Sequence, residues 1–161
     1  MYYGNGMQRY RETDIGTMSP EKIIVKLYER TVRDLEQAGD ALAAGDRREV
    51  NRLVIHSQAI VGELRKALNH DVGGDVAANL ESIYDWLFRQ HLVLLTDPTP
   101  QLVADCVKVL APLADAWRSV ATGAGTRTLE AAASGAGNAT PSANPGHVRD
   151  YADRSTLSLT V

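Results

Sequence analysis

Four segments of helical period follow one another with almost nothing between them, and this spacing constrains the chain more than any other feature. The first opens at Ser19-Pro20. A serine there can accept a bond from a free N–H of the first turn, and a proline at the first helical position forfeits none. Ile24, Leu27, Tyr28, Thr31, Leu35, Ala38 and Leu42 then recur every three or four residues, as one face of a helix does. Gly45 suits the left-handed position that closes a helix, and Asp46 with Glu49 has the spacing of a capping box for the next. Val50, Leu53, Val54, Ser57, Val61, Leu64 and Leu68 trace the buried face of that second helix. Asn69 to Gly74 breaks the period, and a third helix is expected from about Asp75 to Leu95, with Val76, Leu80, Ile83, Tyr84, Leu87, His91 and Leu94 in register. Thr99-Pro100 repeats the opening arrangement for a fourth, whose face is Val103, Cys106, Val107, Leu110, Leu113, Ala114, Trp117 and Val120. Pro112 lies inside that pattern and is expected to interrupt it with a kink.

Connections this short place successive helices antiparallel. The expected fold is therefore all-α, an antiparallel four-helix bundle over residues 19–121. Residues 1–18 are polar and glycine-containing, with no sustained period, and read as a flexible N-terminal arm. Residues 122–161 are rich in Ala, Gly, Ser, Thr, Asn and Pro. They hold too little apolar surface to offset the entropy of ordering, so they read as a disordered C-terminal tail.

Several function classes are disfavoured. A net charge of −3, with no basic run interleaved with aromatics, argues against a nucleic-acid partner. Cys106 is the only cysteine, so no intrachain disulfide forms, and its place on an apolar face marks it as a small core residue. The N-terminus lacks the charged start and apolar run of a secretory signal, and no apolar run approaches the ~20 residues of a membrane span. A cytoplasmic location is expected. Helical bundles that hold metal use Glu-x-x-His pairs on facing helices, and none occurs; His56, His70, His91 and His147 lack ligand spacing. No metal, cofactor or catalytic set is expected, and the chain does not read as an enzyme. One alternative is a histidine phosphotransfer module built on His56. Such modules resemble His-x-x-Lys-Gly/Ser, whereas "HSQAIVG" has Ala59 in the lysine position and Gly62 two residues late.

What the bundle does not use is more telling. Ile23, Val25 and Val32 exceed the core stripe of the first helix; Ile55, Ala59, Ile60 and Gly62 that of the second; Trp86, Phe88, Leu92 and Val93 that of the third. Each could simply widen a buried stripe. Together, Ile55, Ala59 and Gly62 form an i, i+4, i+7 row of branched and small residues away from the core, a shallow groove in which another helix could lie. A second alternative is a structural bundle that associates with itself through that row.

The chain resembles the flagellar secretion chaperones of bacteria, the FliS family. The resemblance is carried by Tyr10, "SPEKIIVKLYE" at 19–29, "AGD" at 44–46, "GGDVAANLESIYDWL" at 73–87 and "LADAW" at 113–117, in that order, over roughly residues 1–120. It implies a cytoplasmic export chaperone that binds the C-terminal segment of flagellin as short helices in apolar grooves. The client is thereby kept from premature polymerisation until it meets, transiently, the export gate at the membrane. It implies no cofactor. The free chain is expected to be a monomer or a weak homodimer. The resemblance further implies a groove that includes Ile55, Ala59, Gly62, Asn79, Ile83 and Trp86, with Tyr10 and Ile15 of the arm plugging the empty site. Pro112 and the long tail depart from the family pattern.

Overall fold

A computed structural model describes residues 18–123 and 130–135. Four long helices make the body: α1 (Pro20–Ala43), α2 (Arg47–Lys66), α3 (His70–Thr96) and α4 (Pro100–Ala121). No strand occurs among the described residues. The all-α bundle expected from the spacing is what forms.

The helix ends follow from the side chains at them. Backbone N–H groups of Lys22, Glu49 and Leu102 donate to the side chains of Ser19, Asp46 and Thr99, at 3.4, 3.0 and 3.2 Å. Each such cap satisfies a first-turn N–H that has no helical partner, and is worth about 1 kcal/mol. The link between α1 and α2 is tighter than a capping box allows. Gly45 takes φ 74°, its N–H donates to Leu42 O, and the N–H of Asp46 donates to Ala41 O at 2.9 Å, which is a Schellman closure. Since the Asp46 N–H is thereby occupied, Glu49 cannot complete the expected box. Its carboxylate accepts from Arg52 instead.

One expectation is refined and one is corrected. A short helical turn from His70 precedes the helix expected from Asp75, because Asn69 accepts from the N–H groups of Asp71 and Val72 and so caps it. The break falls within α3, at Gly74, whose φ of 48° is open to glycine at little cost. Pro112 does not interrupt α4, which is assigned as one helix from Pro100 to Ala121. Pro112 is exposed, so the Lys108 carbonyl that loses its partner lies on the solvent side.

In the packed body α1 lies against both α2 and α4, α2 against α3, and the α3/α4 interface is the narrowest of the four. A Cβ at Gly39 would come within 3.4 Å of Val103, so the glycine lets α1 and α4 approach closely. Tyr28, Leu35, Leu53, Leu80, Leu87, Leu110 and Trp117 are among the fully buried side chains at the centre. The hydroxyls of Tyr28 and Tyr84 meet at 2.5 Å across the bundle, and the Tyr28 ring stacks on Trp117 at 6.4 Å between centroids. Burial holds both phenols un-ionised, far above their ordinary range, and pushes the Cys106 thiol up to about 12. Asp34 is fully buried between Arg30 Nε at 2.9 Å and His56 Nδ1 at 2.5 Å, which ties α1 to α2.

The tail needs one amendment: residues 130–135 are helical, and Ala133 is fully buried within the core cluster. The expected arm, with Tyr10 and Ile15, lies outside the described residues, as do residues 136–161 of the tail.

Candidate docking surface between helices α2 and α3

The helices α2 and α3 are antiparallel, and three pairs fix their register. Ser57 Oγ lies 2.9 Å from His91 Nε2, Gly62 faces the Phe88 ring, and Arg65 Nε lies 2.9 Å from Asp85 Oδ1. The first pair is buried, and desolvation pulls the His91 imidazole down to about 4, so the ring is neutral and bonded to the serine. The other two lie progressively nearer the end of α2, where Arg65 also approaches Glu81, and Glu81 approaches His70 at 3.3 Å.

Outside this buried seam the two helices leave an open apolar strip. Gly62 lacks a side chain opposite Phe88, and the resulting depression of about 390 Å³ is lined by Gly62, Arg65, Lys66, Asp85 and Phe88. A Cβ at Gly62 would sit 3.6 Å from Phe88 Cζ, an ordinary contact, so the floor is roomy rather than strained. Up the strip, the register puts Ile55 level with Leu92, and these are 56 % and 57 % exposed. Ala59, one turn along α2 from Ile55, is exposed as well. Covering two such side chains with a partner helix is worth on the order of 1 kcal/mol each. Arg65, Lys66 and Asp85 give the strip a charged end that can fix the direction of a bound segment.

The six groove residues named from the sequence do not share one surface. Ile55, Ala59 and Gly62 belong to this strip. Asn79, Ile83 and Trp86 do not. Phe88 and Trp86 flank Leu87 by roughly 100° on opposite sides of α3. Because Phe88 meets Gly62 of α2, Trp86 faces away from α2, toward α4. Ile83 is a core residue with no exposure, Trp86 is 4 % exposed and Asn79 is half-buried. Phe88 and Leu92, counted in the sequence only as surplus, complete the strip in place of those three. Arg65, Lys66 and Asp85 went unnoticed, since nothing within one helix signals an ion pair to the next. The bridge to Asp34 accounts for His56 as a link between helices. Among the described residues no group of three His, Cys, Asp or Glu is arranged to hold a metal ion, and no helix is long and apolar enough to cross a membrane.

The chain is similar to known proteins over most of its length. The family model described as flagellar protein FliS matches residues 3–124. Among curated proteins, the chain is 28 % identical over 111 residues to the flagellar secretion chaperone FliS of Campylobacter jejuni, covering 69 % of this chain and 87 % of that one. It is 25 % identical over 118 residues to the protein of that name from Vibrio cholerae, covering 71 % and 87 %. With the one from Salmonella typhimurium the identity is 25 % over 130 residues, covering 74 % and 93 %.

Proposed function

The chain belongs to the FliS family of flagellar secretion chaperones, and from that premise we propose that it binds the C-terminal segment of flagellin in the cytoplasm. Binding would keep that segment from polymerising and hold it export-competent until it reaches the export gate. The observation that carries this reading is the open strip of Ile55, Ala59, Gly62, Phe88 and Leu92. It is apolar and open, and its charged end gives polarity. A segment that is disordered alone can fold into it, with main-chain bonds closed inside its own helix and one face against the strip. Tyr10 and Ile15 remain, in this proposal, the arm's plug for the empty site.

Calorimetric titration with a peptide of the last ~40 residues of the cognate flagellin tests this. Coupled folding predicts one-to-one binding, a gain in helix, and a negative heat-capacity change. No heat and no gain in helix would overturn it. A concentration-dependent dimer indifferent to the peptide would assign the strip to self-association instead.

A further inference from the structure

The α3/α4 interface is narrow, yet part of its flank is covered: Val93, two turns along α3 from Trp86, is 44 % exposed, whereas Trp86 itself is buried. Trp86 faces it from α3. From α4, Ala116 and Arg118 flank Trp117 by roughly 100° on either side. Arg118 Nε reaches Glu29 of α1 at 2.9 Å, so Ala116 faces α3. Trp86 is 4 % exposed and Ala116 only 1 %. Two helices that approach at few points do not by themselves bury a tryptophan set so far off the central stripe, which calls for a further covering group over Trp86 and Ala116.

Two open depressions of the body lie away from this seam, one between α2 and α3 and one between α1 and α4 that is lined by Glu29, Val32, Arg33 and Arg118 among others. The α1/α2 interface is broad. Residues 130–135, "EAAASG", are helical; Ala133 is wholly buried in the core cluster and Ala132 packs against it. Six residues, 124–129, separate them from the turn that ends α4 at Gly123. At most ~3.5 Å per residue, this length reaches the α3/α4 seam beside the end of α4. Small side chains let a short helix lie close against a seam already filled by an indole.

We propose that residues 130–135 dock in the seam between α3 and α4, as an internal occupant that covers Trp86 and Ala116. The family match ends at residue 124, so the occupant belongs to the chain's own extension. The molecule thus has two apolar seams on α3, one open and one covered by itself.

The test is Ala133→Glu in the full chain, with Ser134→Glu, at an exposed position one residue on, as the control. A carboxylate cannot enter the seam unpaired, so the segment is released. Tryptophan emission should shift to the red and become more accessible to acrylamide in Ala133→Glu, while Ser134→Glu and the far-ultraviolet helical signal of the body stay unchanged. Emission unaltered by Ala133→Glu, or altered equally by both, would overturn the proposal. Amide exchange on the unaltered chain decides the matter without any substitution. Protection at Ser134 and Gly135 is expected, and exchange at the rate of an unstructured peptide would refute docking.

Discussion

Phe88 and Trp86 stand on the two sides of Leu87, on one helix and within one turn, and their surroundings differ sharply. Phe88 borders an open strip against α2, where Gly62 offers no side chain to cover it. Trp86 borders a narrow interface with α4 and is buried nonetheless. The contrast teaches that an apolar surplus on a bundle helix has two fates. It either waits for a partner or is used up inside the chain, and helical spacing alone does not distinguish them.

The largest expected effect breaks the contrast directly. Trp86→Ala should lower the unfolding free energy by about 3–5 kcal/mol, the range for emptying a buried indole site. Phe88→Ala should cost about half that or less, since part of the ring already meets water. Urea unfolding of both variants measures it. Equal losses would mean the two seams are equally closed.

Acid comes next, because it acts beneath the open strip. His91 is neutral in the folded state, its pKa lowered to about 4 from an ordinary 6.5 by burial. The unfolded chain takes up a proton below pH 6.5 while the folded one resists until about pH 4. This stability is therefore complete above the unfolded value and lost as pH falls through that window, by about 3 kcal/mol in all. His91→Gln keeps a polar partner for Ser57 and removes the titration. The difference in pH slope between the two proteins isolates the histidine from the carboxylates that titrate nearby. Parallel slopes would show that His91 does not carry the effect.

These two residues also mark what the sequence could and could not tell. Ser19, Asp46 and Thr99 announced three helix starts because a cap acts through its own next three residues. Gly74 marks the break where the sequence places it, but the short turn that Asn69 caps ahead of it looks, in one dimension, like a loop. Val25, Ile60 and Trp86 are buried, whereas Ile55, Leu92 and Val93 are exposed, although all six read alike as surplus. Spacing fixes the side of a helix on which a residue lies, but the neighbour on that side is a fact of packing. The resemblance groups Asn79, Ile83 and Trp86 with Ile55, whereas packing sets the two groups on opposite flanks of α3. Ala133 gave no signal at all, because one alanine in a small-residue tract is ordinary until something is seen to cover it.

A smaller effect on stability separates the strip from the core. Ile55→Asp should change the unfolding free energy by no more than about 1 kcal/mol, since the side chain is already half in water. The same change puts an unpaired carboxylate under a bound client, and should weaken flagellin-peptide binding by about 2 kcal/mol, roughly 30-fold in Kd. Unchanged affinity would remove Ile55 from the docking surface.

Gly62 gives the smallest effect and the sharpest distinction, because its two consequences have opposite signs. A glycine inside a helix costs about 0.5–1 kcal/mol relative to alanine. The added Cβ would sit at ordinary distance from Phe88, so Gly62→Ala should stabilise the protein by about that amount. The same methyl group raises the floor of the depression where Phe88 closes it, and should weaken the client. Thermal unfolding and peptide titration on one variant read both. A more stable protein that binds less well would mean that the glycine keeps the strip open at the expense of the helix. If it were more stable and bound equally well, the depression would lie outside the contact, and Ile55 with Leu92 would carry the docking alone.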